Sequence, residues 1–169
     1  MIGTEKGLQN EAYLSNEQLD WVDAQLESIT SVSSKPVFMI CHQPLNGTNR
    51  VDEAWAPGKL GAQSDRLKSI IRKYNDHGST VILASGHLHS GFGYTKPTHE
   101  NGLYYLDLPS YGKTPSRGNV RETGCGLMVE IYNDKIVCRA RNFASGKFYE
   151  SYNYNIPVET QEKALIPAA

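Results

Sequence analysis

Apolar positions first recur at helical spacing at Leu19, Val22, Leu26 and Ile29, behind a Ser15 to Gln18 capping box that predicts where the helix starts. A polar break at 31–35 comes next. The continuous apolar run Pro36-Val37-Phe38-Met39-Ile40-Cys41 then has the length of a strand buried on both faces, and it ends at His42-Gln43-Pro44. Residues 46–61 are rich in Gly, Asn, Pro and charge around Trp55, and predict a long loop of the functional type. The face Leu67, Ile70, Ile71 and Tyr74 predicts a second helix, capped by Ser64 and ending over Asn75 to Gly78. A second buried strand is predicted at Thr80-Val81-Ile82-Leu83-Ala84-Ser85, which runs into Gly86-His87-Leu88-His89.

The first half therefore reads helix, strand, loop, helix, strand, an α/β arrangement in which ligands sit off the carboxyl ends of the strands. The second half changes period. Segments 103–108, 127–132, 135–142 and 148–156 read as strands, with turns at Asn133-Asp134 and Ser145-Gly146. They are expected to form an antiparallel set closing one side of a sandwich. One domain over 1–157 is expected, with 158–169 as a tail.

Composition narrows the classes of function. The 169 residues carry 17 Lys plus Arg against 18 Asp plus Glu, a net charge of -1, so no global field draws in a nucleic acid polymer or an anionic membrane. No apolar run reaches the roughly 20 residues that span a bilayer. The first residues lack the basic and apolar regions of a secretory signal, which makes the cytoplasm the default expectation. Cys41, Cys125 and Cys138 are odd in number and have no Cys-x-x-Cys spacing, so they are expected to be small core residues.

The chemistry sits in the histidines. His42 and the His87/His89 pair each follow a short buried strand, and neighbouring parallel strands would bring those ends together. Neutral imidazole is a good ligand for zinc, iron and similar ions, and a rigid strand end holds it at little entropic cost. Gly86 permits the sharp turn that lets two nearby histidines aim differently. A metallo-β-lactamase site, His-x-His-x-Asp-His, does not fit, because Ser90-Gly91 stand where its acid and third imidazole belong. Asn46, Asn49 and Arg50, with Trp55, lie in the long loop after His42, where a substrate could be recognised. His77 and His99 follow no predicted strand and receive no role. Lys113 and Arg117 fall in a Gly/Pro/Ser-rich loop read as solvated surface.

Leu14-Ser15-Asn16-Glu17-Gln18-Leu19-Asp20-Trp21, the run from Pro36 to Pro44 and the turn Gly86-His87-Leu88-His89 resemble, in order and spacing, the C-terminal half of calcineurin-like metallophosphoesterases. Leu103-Tyr104-Tyr105-Leu106-Asp107-Leu108-Pro109-Ser110 and the closing strands resemble the segments C-terminal to that turn in bacterial members. The resemblance implies the C-terminal half of a four-layer α/β/β/α fold. It also implies hydrolysis of a phosphate ester at two divalent ions (Mn, Fe or Zn), which generate the nucleophile and clamp the phosphoryl oxygens. His42 and His87 would be ligands of one metal, and His89 a ligand of the other.

The chain departs from the family pattern in lacking the Asp-x-His, Gly-Asp-x-x-Asp and Gly-Asn-His motifs that supply the remaining ligands; Gly118-Asn119 is followed by Val120. Three imidazoles without a bridging carboxylate leave nothing to offset the repulsion of two close cations. At most one ion is expected in this chain alone. The activity then belongs to a larger parent protein, or the chain is a non-catalytic remnant that binds a partner or self-associates through an exposed sheet edge.

Overall fold

The computed structural model describes residues 1–5, 12–48, 61–94, 97–100 and 102–158. Helix α1 (Asn16–Thr30) starts where the capping box puts it, with the Ser15 hydroxyl accepting the Gln18 N–H at 3.1 Å. The box is completed differently from the usual reciprocal bond. Glu5 takes the Ser15 N–H, while the Gln18 amide pairs with both backbone groups of Gly3, so the cap also ties down the N-terminal segment. Leu19, Val22 and Leu26 are buried, and Ile29 falls off that face.

Strand β1 (Val37–Ile40), helix α2 (Gly61–Asn75) and strand β2 (Val81–Ser85) succeed it in the chain. Then come β3 (Thr98–Glu100), β4 (Leu103–Asp107), β5 (Cys125–Ile131), β6 (Lys135–Asn142) and β7 (Tyr154–Pro157). One sheet has the order β1-β2-β4-β3, with β1, β2 and β4 mutually parallel and β3 antiparallel to β4. The other is the antiparallel sheet β5-β6-β7.

The described residues thus form three layers: helices, mixed sheet, antiparallel sheet. A second helical layer, expected for a four-layer fold, is not among them. Side-chain alternation assigns the layers. Leu83, Leu103 and Tyr105 face α1 and α2, whereas Ile82, Ala84 and Leu106 face Ile136, Cys138 and Ile156 of the second sheet. Strand β2 is buried along its whole length, which accounts for its unbroken apolar sequence.

Four expectations are corrected. Residues 103–107 do not join the antiparallel set; they pair in parallel with β2, Ile82 opposite Tyr104 and Ser85 opposite Asp107. A strand with apolar residues on both faces is accommodated only where both faces are covered, between the helices and the second sheet. Segment 148–156 is not one strand: Phe148 makes a single bridge to Arg141, a 3-10 turn covers Glu150–Tyr152, and β7 begins at Tyr154. The Asn153 side chain accepts the Ala140 N–H at 3.0 Å, substituting for a ladder bond at that break.

Ser64 is not a cap. Helix α2 already begins at Gly61, and the Ser64 hydroxyl instead accepts the Asn46 N–H at 2.8 Å, pinning the loop after β1 to the helix. Strand β1 is not buried on both faces, with Ile40 43% exposed. It is an edge strand. Among the described residues only Ile2 meets its outer side, donating its N–H to the Ile40 carbonyl at 2.8 Å.

Candidate functional site

The carboxyl ends of β1, β2 and β4 lie side by side and continue to bond each other beyond the strands. Cys41 N–H donates to the Ala84 carbonyl at 3.1 Å, Gly86 N–H to that of His42 at 3.0 Å, and Leu108 N–H to that of Ser85 at 2.6 Å. His42 and His87 are carried by those extensions. Their ring centroids stand 5.4 Å apart, nearly perpendicular at 87°.

The turn after β2 is tight and unusual. Leu88 N–H returns to the Gly86 carbonyl at 2.8 Å, and His87 and His89 adopt φ of 70° and 47°. These are the sole non-glycine residues with positive φ among those described. An L residue in the left-handed region is uncommon, and it persists only when the surroundings over-determine it. Here the surroundings are a second loop: Ser116 N–H donates to the His89 carbonyl at 3.2 Å, Gly91 N–H to that of Arg117 at 2.8 Å and Ser110 N–H to that of Ser90 at 2.8 Å. Segments 89–92 and 110–120 are therefore stitched backbone to backbone.

His87 is half-buried, whereas His42 and His89 are exposed. Burial first, then the neighbouring charges of His42 and His89, hold the His87 imidazole below its ordinary pKa. That favours the neutral ring, which is the form that ligates metals.

Two of the three predicted ligands are thus in ring contact, and His89 is exposed on the same turn. A tetrahedral ion about 2.0–2.1 Å from each imidazole nitrogen separates the ring centres by roughly 5 Å, close to what His42 and His87 present. Among the described residues, no group of three or more His, Cys, Asp or Glu side chains could hold a metal ion.

Asn46 lies just past the first strand end and is half-buried, fixed through its backbone to Ser64. Asn49 and Arg50 lie outside the described residues. Cys41, Cys125 and Cys138 are free and buried, as expected. His77 Nδ1 lies 2.5 Å from the Lys73 carbonyl at the end of α2, and His99 stacks on Tyr104 across the β3–β4 ladder, with centroids 4.2 Å apart. Neither is carried by the strand ends that bear His42 and His87.

Asp107 was not singled out by sequence reasoning. It ends β4 opposite Ser85 and accepts a hydrogen bond from the Ser90 hydroxyl at 3.2 Å, so a carboxylate lies beside the histidine turn. The same signal that marked His42 and His87 marks it: a polar, chemistry-bearing residue at the end of a short buried strand.

No protein-family model matches the chain, and no curated protein does. Among solved structures, a double mutant of Vps29 from Entamoeba histolytica is similar over 94% of this chain and 97% of that one, at 11% identity and a TM-score of 0.30.

Proposed function

We propose that the chain is a portion of a metal-dependent phosphoesterase in which His42 and His87 hold one divalent ion. The observation that supports this most is their 5.4 Å ring separation at the ends of adjacent parallel strands, together with a pKa depression that favours the neutral His87 ring. The phosphate ester would lie over the strand ends. A divalent ion there supplies Lewis acidity toward a phosphoryl oxygen. The protein's own part is to hold two neutral imidazoles on a stiff backbone turn, with His89 facing solvent where a second ion would add to the complete site. Asn46, Asn49 and Arg50 would recognise the rest of the substrate from the loop after His42.

Three imidazoles do not make a dinuclear centre, so the remaining ligands would come from further polypeptide. The test compares hydrolysis of bis(p-nitrophenyl) phosphate, with Mn²⁺ or Zn²⁺, by this chain and by a version extended upstream in its reading frame. The reading expects turnover in the extended protein alone, and its abolition by His87→Ala. An extended protein that binds metal and does not hydrolyse any phosphate ester would contradict it.

A second reading has its own observation. The outer side of β1 is met only by Ile2 among the described residues, and Trp21 and Ile40 beside it are 54% and 43% exposed. Such an edge pairs readily with another strand. Under this reading the chain is a non-catalytic module that self-associates. Light scattering decides it: a concentration-dependent dimer is expected, and a monomer at every concentration refutes it.

A further inference from the structure

Strand β6 has two faces in different surroundings. Ile136, Cys138 and Ala140 are buried in the core, so alternation puts Val137, Arg139 and Arg141 on the outer face of the antiparallel sheet. Both α-helices pack on the mixed sheet, and among the described residues neither covers this outer face. Phe143 and Phe148 are each 43% exposed there, and the Arg141 guanidinium lies against both rings, 5.5 Å and 4.9 Å from their centroids.

The three side chains are held in place by the turn that carries them. Phe148 bridges back to Arg141, and the buried Asn142 organises the residues between. Asn142 Oδ1 accepts the Ala144 and Ser145 N–H groups at 3.0 and 3.1 Å, and its Nδ2 donates to the Thr123 carbonyl at 3.0 Å. Its backbone N–H donates to the Lys147 carbonyl at 2.8 Å, and that of Phe143 to the Gly124 carbonyl at 2.7 Å. Opposite Arg141 on β5 stands Gly126, where a Cβ would come within 2.9 Å of the Phe143 ring, so the missing side chain is what lets the ring lie close over the strand. A platform fixed in this way loses little freedom on binding.

Charge and composition select the partner. Arg139 is taken by Glu130 at 2.8 Å, whereas no carboxylate among the described residues pairs with Arg141. Its Nη1 contacts the Met128 sulfur at 3.9 Å, and its Nε has no hydrogen-bond partner among them. The two rings attract the guanidinium without neutralising it. A carboxylate placed there meets both the cation and the positive edges of the rings. Exposed aromatic rings, methionine and arginine together are the composition of an interface centre between proteins. A nucleic acid strand would need a row of free cations, yet this region also carries Glu122, bonded to Asn142 at 3.1 Å, and Glu130.

We infer that this face docks a partner protein through a segment in which an Asp or Glu is flanked by apolar side chains, the carboxylate pairing with Arg141 and the apolar groups covering Phe143 and Phe148. The inference does not rest on the histidine pair. It is tested by titrating the chain with the end-blocked peptide Gly-Leu-Asp-Leu-Gly and following the backbone amides of Gly126, Arg141, Phe143 and Phe148 by NMR. Saturable shifts centred on these amides are expected, with affinity about tenfold weaker for the peptide carrying Asn in place of Asp, the loss of one charge-assisted pair. Arg141→Gln is expected to bring the two peptides to equal affinity, and Phe148→Ala to weaken both. Should either variant fail to fold, the comparison of the two peptides on the unaltered chain still decides. Absence of shifts at millimolar peptide, equal affinity for the two peptides, or stronger shifts of the same amides by oligothymidylate overturns the proposal.

Discussion

His87 and His89 are held in a backbone conformation that costs stability, and that cost can be separated from the contribution of the imidazole. Consider His87→Gly against His87→Ala. Both remove the ring, so their difference reports the backbone alone. At φ 70° an alanine carries the left-handed penalty of about 1–2 kcal/mol, which glycine escapes. Glycine in turn loses roughly 0.5–1 kcal/mol more conformational entropy on folding. The net expectation is that His87→Gly is the more stable variant by about 0.5–1 kcal/mol. His77, in the turn after α2 with its N–H on the Tyr74 carbonyl and no positive φ, supplies the reference. There the order reverses, with His77→Ala above His77→Gly by about 0.5–1 kcal/mol. Urea unfolding with linear extrapolation measures all four variants, and at this chain length 1 kcal/mol is about 2–4 °C in Tm. If His87→Ala equals or exceeds His87→Gly in stability, the turn is not held in the left-handed region.

Three other substitutions test the frame around the site. Leu83→Ala, at a fully buried position facing the helices, is expected to cost about 2–5 kcal/mol in the same urea assay, and a loss below 1 kcal/mol would refute its packed position. Gly91→Ala forces a backbone shift against Val120 and is expected to cost about 1–3 kcal/mol, with the amides of 110–120 losing hydrogen-exchange protection; unchanged protection would refute the stitching. Tyr74→Phe removes a hydroxyl that donates to the Asp23 carbonyl at 2.8 Å and reaches its carboxylate at 2.5 Å, joining α2 to α1, at a cost of about 1 kcal/mol near neutral pH. The Tyr74 hydroxyl is the main cause of the lowered Asp23 pKa, so this stabilisation is present above the ordinary carboxylate range and is lost as pH falls through the lower folded value. The gap between wild type and Tyr74→Phe should therefore narrow below about pH 4; a gap that widens there would show that the hydroxyl does not favour ionised Asp23.

What could be read in the sequence was whatever local pattern alone decides. Ser15 and Gln18 placed a helix start, Thr80 to Ser85 placed a fully buried strand, and Asn133-Asp134 placed a hairpin. What could not be read depended on neighbours distant in the chain. Whether Leu103 to Asp107 pairs with β2 or with the later strands is decided by which layer covers each face, and five residues carry no record of that. The short β3 has no alternation of its own, and exists through its ladder to β4 and the His99–Tyr104 stack. Ser64 looked like a cap because its hydroxyl sits near a helix start, yet the N–H it accepts comes from Asn46, eighteen residues away. For the site, strand-end placement brought out His42 and His87 but passed over Asp107, which satisfies the same rule on the third parallel strand.

Whether His42 and His87 share one divalent ion is decided by Co²⁺ titration of this chain, followed by absorbance and calorimetry. One weakly bound equivalent per chain is expected. His42→Ala and His87→Ala each weaken it about tenfold or more, while His89→Ala leaves it within about twofold. Binding untouched by loss of either His42 or His87, or lost equally with His89, would contradict it.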